Sequence, residues 1–508
     1  MSIIRTINFL SYIKSMQKNT PNKYILIMAG ALSLVVMTFL FVFIYLMTSE
    51  SFIDDNKSKP TGSLAVPVGI HNTDNTNPSK IYEFETDELK GSARLGSDTI
   101  MTRNGLTYLL IELEGKKPLE ENSINIPLNI SIVIDRSGSM CGEKLDSIKT
   151  ALKSISSMLD ENDTISIISY ETDVQVVLKP QQFNESSFNE AVDSLSIGGS
   201  TNLEGGLREG VKSVKKKLEE AQVNRVILLS DGLANVGLST PSDLSILASS
   251  LSGEKISVST IGVGVDYDEK VLTEIAKATK GNYYFMGNPE EANAIFEIEF
   301  NSALKLVAQD IELEFNLNPD FEVSTGVGYQ LENKYKFNPY NIYSDKKVSY
   351  LFQIEAINPE ELSEEEILLA NISIKYSKPA QTDSDPVQLN VPVKATMSSE
   401  IVNLLADDNV YKNYIKALIA ENKLKIYEAL DKGDNAAANV LLQTSITEIE
   451  NANERLDGEF SSEAKDLQGQ IDFVDELEEN DGYVNDSEKG RFFQKDNQGS
   501  AYDEIYNK

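Results

Sequence analysis

The sequence predicts a multidomain chain. Its centre is an α/β, doubly wound, Rossmann-like domain inserted in an antiparallel β-sandwich, followed by a helical hairpin and a disordered acidic tail. Three observations predict this. Over residues 127–306 short β-rich apolar runs alternate with helical patterns, as they do where a parallel sheet is covered on both faces. On either side, at Leu106–Leu113 (LTYLLIEL) and across residues 307–398, the apolar period is two and turn residues separate the runs. Beyond these, Asp407–Leu430 and Asn435–Arg455 carry helical spacing around the turn Asp431-Lys432-Gly433-Asp434.

The 508 residues are enough for two to four domains. The formal net charge is −33, with no basic stripe, which argues against a nucleic-acid partner. A single cysteine, Cys141, and a single histidine, His71, exclude an internal disulfide, a thiolate zinc finger and a histidine-rich zinc protease site. His71 stands in the polar run His71-Asn72-Thr73-Asp74-Asn75, a poor place for the base of a Ser-His-Asp triad. No P-loop or nucleophile elbow appears. The expectation is therefore a protein that is not an enzyme.

In chain order, residues 1–23 carry Arg5, Lys14, Lys18 and Lys23 and no acid. Tyr24–Met47 then runs without a charged residue. As a helix at about 1.5 Å per residue it is long enough to cross a hydrocarbon core of about 30 Å. Glu50, Asp54 and Asp55 follow. The asymmetry predicts a single-pass anchor with a cytoplasmic N-terminus and an extracytoplasmic bulk, at a cell surface or in a periplasm. A cleaved signal peptide is the alternative, disfavoured by the length of the run and the lack of a small-x-small site.

Residues 48–80 are rich in Asn, Thr, Ser, Pro and Lys and read as a flexible stalk, and residues 81–126 as the first part of the sandwich. Within residues 127–306 the strands are expected at Ile130–Ile134, Ile165–Ser169, Val226–Leu229, Ile256–Ile261 and Tyr283–Phe285. Helices are expected at Lys144–Leu159, Asn202–Glu219, Pro241–Leu251, Asp268–Thr279 and Pro289–Lys305. Residues 307–398 complete the sandwich, residues 399–457 form the hairpin, and residues 458–508 read as a disordered acidic tail without a helix or strand period. The first sandwich part is expected to pair with the second, because Leu106–Leu113 has too few neighbours to be stable alone. The hairpin reads as structural, with a docking surface for a partner helix as the alternative.

Three segments fall where loops should follow strand ends: Asp135-Arg136-Ser137-Gly138-Ser139, Gly198-Gly199-Ser200-Thr201-Asn202, and Ser230-Asp231-Gly232. In open α/β sheets ligands bind beyond the carboxyl ends of the strands, so the three can converge there. Together they offer two carboxylates and several hydroxyls. Such hard oxygen ligands suit Mg²⁺, with Mn²⁺ or Ca²⁺ as alternatives. Taken singly, each aspartate could equally be a helix cap, the paired glycines could serve only a tight turn, and Cys141 reads as incidental.

With these residues in place, the sequence resembles the von Willebrand factor type A family. Asp135, Ser137 and Ser139 match the DxSxS element of its metal-ion-dependent adhesion site, and Thr201 and Asp231 match the two later elements. The stretches GGSTNLEGGL, NRVILLSDGLANVG and STIGVGVDYDEKVLTEIA look like the subgroup found in bacterial membrane-associated proteins and inter-alpha-trypsin inhibitor heavy chains. The resemblance implies a site in which two serines and one further residue touch the metal, other contacts run through water, and a protein partner's carboxylate takes an open position. The function it implies is binding or adhesion. A regulatory or scaffold subunit of a membrane complex is the alternative, and no sequence feature separates the two.

Overall fold

The structure is a computed structural model. It describes residues 79–499 except 103–104, 118–125, 220–221, 254, 327–334, 340, 360–361, 363, 379–384, 398–404, 480–489, 494 and 497–498. The expected membrane span, the stalk through Pro78 and His71 lie outside the described residues. Among the described residues no helix is long and apolar enough to cross a membrane. The expected stalk ends earlier than Lys80: the Ser79 N–H donates to Asp407 (3.2 Å) and the Lys80 N–H to Asp98 (3.0 Å).

Four strands come first: β1 (Tyr82–Glu85), β2 (Leu89–Leu95), β3 (Thr99–Met101) and β4 (Leu106–Gly115). The α/β domain follows. Its strands are β5 (Leu128–Asp135), β6 (Thr164–Tyr170), β7 (Val174–Gln182), β8 (Val223–Ser230), β9 (Ser257–Val263) and β10 (Tyr283–Met286). Its helices are α1 (Glu143–Ile155), α2 (Glu185–Ser194), α3 (Leu203–Lys215), α4 (Pro241–Ser252), α5 (Glu269–Ala278) and α6 (Ala292–Leu304). The sheet order is β10-β9-β8-β5-β6-β7, parallel except for β7, which pairs antiparallel on the edge.

Alternation along the strands feeds two cores. Ile130, Ile132 and Ile134 of β5, with Ile227 and Leu229 of β8, pack under α1, α2 and α6. Val133, Val226 and Leu228 face the other way, onto α3, α4 and α5. Within the α/β domain the sequence reading lacks β7 and α2, and both have a physical reason for being hard to see. β7 (VQVVLKPQQ) is an edge strand in which only Leu178 is fully buried, and α2 buries only Phe188, Ala191 and Val192.

After α6 the chain forms β11 (Leu306–Leu317), β12 (Phe321–Gly326), β13 (Lys336–Phe337), β14 (Ile342–Tyr343), β15 (Lys347–Ala356), β16 (Glu366–Ser377) and β17 (Val387–Thr396). These combine with the first four strands into two sheets, ordered β1-β2-β4-β15-β12 and β13-β11-β16-β17-β3. β4 pairs antiparallel with β15 from Leu106↔Glu355 to Glu114↔Lys347. One apolar cluster joins Leu109, Ile111 and Leu113 of β4 to Leu313 and Phe315 of β11 and Ile372 and Ile374 of β16.

The two ends of the α/β domain meet at Ser344. Its N–H donates to the Lys305 carbonyl (2.7 Å), and Asp345 N–H donates to the Gly115 carbonyl (2.9 Å). A Cβ at position 115 would lie 2.2 Å from the Tyr343 oxygen, so this junction requires glycine.

Three helices follow, α7 (Asp408–Asp431), α8 (Asn435–Arg455) and α9 (Ser461–Glu479), and a short helical segment lies within residues 490–499. They cover the other face of β4, where Tyr108 and Leu110 join Tyr411, Tyr414, Leu442, Ile449, Leu467 and Val474. β4 is thus buried on both sides, which accounts for its nearly continuous apolar sequence. The expectation of a disordered tail from residue 458 is corrected here. Phe460, Leu467, Ile471 and Val474 recur at helical spacing and are buried. The acidic residues interleaved with that stripe hide the period in the sequence. The hairpin is accordingly a three-helix element.

At the amino-terminal end of the sheet, Arg225 and Glu299 form an ion pair of 2.9 Å between side chains that are almost wholly buried. Arg225 also donates to Tyr343 Oη (3.0 Å) and Ser257 (3.2 Å), while Asn282 and Tyr284 donate to the second Glu299 oxygen, each at 2.8 Å. Both charges are thus fully hydrogen-bonded, and removing one partner strands the other. Arg225→Met is expected to cost about 3–5 kcal/mol in chemical denaturation. A loss under about 1 kcal/mol would contradict this reading of the network.

Candidate metal-binding site

Asp135 is the last residue of β5, and Asp231 directly follows β8. These strands are parallel neighbours, paired from Leu128↔Val223 to Ile134↔Leu229, so both carboxylates leave the sheet at one edge. β5 lies in the middle of the sheet with β6 on its other side, and the chain winds away from it in both directions. That is the switch point at which open α/β sheets bind ligands.

The first loop is set by its own backbone. Ser137 N–H donates to Asp135 Oδ1 (2.9 Å) and Ser230 Oγ to Asp135 Oδ2 (3.0 Å). Ser137 and Ser139 then stand side by side, their hydroxyl oxygens 3.0 Å apart. Both donate to Asp231 Oδ1, Ser139 at 2.6 Å and Ser137 at 3.4 Å.

Thr201 comes from the loop before α3, whose cap is the Asn202 side chain accepting from Gly205 N–H (2.9 Å). A reciprocal pair with Asn235 holds it: Thr201 N–H donates to Asn235 Oδ1 (2.9 Å), and Asn235 N–H to the Thr201 carbonyl (3.2 Å). A Cβ at Gly232 would lie 3.2 Å from Thr201 Oγ1 and 3.6 Å from Ser139 Oγ, so these hydroxyls border the space that glycine leaves. All five residues singled out from sequence therefore gather at one place. Asp135, Ser137, Thr201 and Asp231 are buried, and Ser139 is exposed, which marks the open side of the cluster.

The first two loops are stitched together. Gly138 N–H donates to the Gly199 carbonyl (3.1 Å) and Gly198 N–H to the Arg136 carbonyl (2.6 Å). Glu171, one residue beyond β6, accepts from Gly199 N–H (2.8 Å) and pairs with Arg136 (3.1 Å). A Cβ at Gly198 would meet Arg136 and Glu171, each at 2.7 Å, so these glycines serve close approach. Sequence reasoning missed Glu171 and Asn235 as supports, although both lie just past strand ends at the same edge. It also missed Lys144, whose ammonium sits 2.7 Å from Asp231 Oδ2. No spacing signal marks that lysine, because a glycine turn at Gly142 separates it from the loop.

Burial pushes the Asp135 carboxyl up to about 6, against its hydrogen bonds from Ser137 and with the Asp231 charge nearby adding to the rise. Burial is the main reason that the Asp135 carboxylate is disfavoured. Its donors are all oxygen, two carboxylates and three hydroxyls, which is the ligand chemistry of a hard divalent cation. Among the described residues no group of three or more His, Cys, Asp or Glu is placed to hold a metal.

An α/β sheet with this edge defines a class, and comparison with known proteins gives it a family. Residues 129–298 match the family model "von Willebrand factor type A domain", so the chain carries a domain of that family. It is 31% identical over 217 residues to the uncharacterized protein YfbK of Escherichia coli, covering 42% of this chain and 37% of that one. It is 28% identical over 204 residues to inter-alpha-trypsin inhibitor heavy chain H3 of Homo sapiens, covering 38% of this chain and 23% of that one. The chain thus spans well under half the length of these relatives. The likeness in fold reaches further: a von Willebrand factor type A structure from Catenulispora acidiphila aligns with TM-score 0.61 at 17% identity, over 76% of this chain and 91% of that one.

Lys144 adds one positive charge beside Asp231 and so opposes any cation there. Lys144→Gln is expected to raise affinity for Mg²⁺ about tenfold, or about 1.4 kcal/mol, by calorimetric titration. An unchanged or weaker affinity would contradict that role.

Proposed function

We propose that this chain is a binding module whose type A domain holds Mg²⁺ on Asp135, Ser137, Ser139, Thr201 and Asp231 and takes an acidic group of a protein partner. The observation that carries this reading is the Ser137–Ser139–Asp231 cluster, three oxygen side chains within hydrogen-bond reach at the open edge of the switch point. When bound, the cation supplies an electrophilic position for an external carboxylate. The protein's part is to hold its charge low enough for that. The five residues bring two carboxylates, and Asp231 already has the Lys144 ammonium as counter-charge. A cage of three or four carboxylates would repel an acidic partner.

The hydrophobic run Tyr24–Met47 supports display of the module from a membrane, with the N-terminus inside and the bulk outside. We further read the two flanking sheets as one sandwich into which the type A domain is inserted. The β4–β15 pairing and the meeting of both domain ends at Ser344 support this.

Asp135→Ala separates this reading from a generic interaction domain. Calorimetric titration with Mg²⁺ is expected to show at least a tenfold loss of affinity, with the circular dichroism spectrum kept, because the residue ends a strand that is already paired along its length on both sides. Equal affinity in the two proteins would remove the metal from the mechanism. Capture of protein partners from a membrane extract should likewise disappear with chelator and return with Mg²⁺.

A further inference from the structure

On the loop between β9 and α5, the type A domain builds a pocket for a lysine. Lys495, from the short helical segment near the C-terminus, is buried against the loop between β9 and α5. Its ammonium donates to the Tyr267 carbonyl (2.7 Å) and to Glu269 Oε2 (2.5 Å), and lies 4.1 Å from the centre of the Tyr267 ring. A carbonyl, a carboxylate and an aromatic face are three complementary contacts for one ammonium group. The Glu269 carboxylate is itself fixed by a hydrogen bond from Tyr427 of α7 and by its position at the start of α5. Tyr267 is held from behind through its hydroxyl, 2.6 Å from that of Tyr283.

A second anchor stands three residues earlier. The Phe492 ring packs edge-on against Phe285 of β10, centroids 5.1 Å apart. Its seat exists because position 287 is glycine: a Cβ there would lie 2.3 Å from the Phe492 ring. Arg491 adds a surface pair with Asp266 at 3.5 Å. Pocket and seat belong to the type A domain, whereas both anchors belong to a segment that packs on α9 through Phe493, its ring centre 4.8 Å from that of Phe473, and is joined to that helix through residues 480–489. A stretch of that length reaches at most about 35 Å when extended.

We infer that the loop between β9 and α5, with the adjoining end of β10, is a second recognition site of the type A domain. It reads an aromatic–x–x–lysine segment and is filled in cis by Phe492 and Lys495 as a tethered, exchangeable ligand. It shares no residue with the metal-site candidate and does not rest on its reading. The contacts are those of a ligand complex: one buried ammonium with three partners, one partly exposed aromatic ring in a glycine-made seat, and an ion pair at the rim.

The test uses the full chain. In Phe492→Ala/Lys495→Ala both anchors are removed while the pocket is untouched. A fluorescent peptide with the sequence of residues 488–499 is titrated into this variant and into wild type, with fluorescence polarisation as the readout. Saturable binding is expected to the double variant, at least tenfold tighter than to wild type, whose own segment competes. A peptide carrying Lys495→Ala should bind at least tenfold more weakly, a control that cannot be confused with misfolding of the protein. Adding Glu269→Gln to the double variant should have the same effect. Failure of the wild-type peptide to bind the double variant, or binding that survives loss of the peptide's lysine, would overturn the inference.

Discussion

Two buried carboxylates at the ends of adjacent parallel strands set the terms for everything at that edge of the sheet. Strand geometry places them there: β5 and β8 are hydrogen-bonded neighbours, so the residues that end them cannot be far apart. Burying like charges together is costly unless donors or cations surround them. Much of the local sequence answers that cost. Ser137 and Ser230 donate to Asp135; Ser137, Ser139 and Lys144 donate to Asp231. The glycines at 198, 199 and 232 let the loops close around these groups without intruding on them.

The frame beneath is organised by a second polar network, at the opposite end of the same strands. Arg225 and Glu299 lie where β8 begins, and Tyr343 joins them from β14, outside the α/β domain. One residue on, Ser344 and Asp345 bind the carbonyls of Lys305 and Gly115, the exit and entry of that domain. The base of the domain is therefore attached at a single place by both chain ends and a buried ion pair, and its ligand edge faces the other way. At the start of α5, Glu269 ties this side of the domain to α7 through Tyr427 and to the C-terminal segment through Lys495. In the loop just before it, a Cβ at Gly264 would lie 3.2 Å from the Lys144 side chain. Charge at one recognition surface thus lies close to the loop that forms the other.

Much of this was legible in the sequence, and the reasons are physical. Parallel strands buried on both faces leave short, dense apolar runs, and β5, β6, β8 and β9 were readable as such. The five candidate ligand residues were readable because Asp135 and Asp231 stand at the ends of buried strands and Ser137, Ser139 and Thr201 in loops, where a hydroxyl has no core to fill. Elements with weak burial signals were not legible: β7, at an edge, fully buries only Leu178, and α2 buries only a few side chains. In α9 and the residue before it the signal was present in Phe460, Leu467, Ile471 and Val474, but overall acidity masked it. Contacts between distant segments left no local trace at all. Lys144 on Asp231 and Lys495 on Glu269 depend on tertiary approach, and a lysine in a helical stretch reads as solvated surface until its partner is known.

The central claim is that three loops at one sheet edge form a single divalent-cation site, and diffraction can test it directly. Crystals grown with Mn²⁺ and measured at the manganese absorption edge would locate any bound ion without assumption about its ligands. The account predicts one strong anomalous peak among Ser137, Ser139 and Thr201, at coordination distance of about 2.1–2.2 Å from at least two of their hydroxyl oxygens. A peak elsewhere, on the acidic helices for instance, with none at that edge, would contradict it.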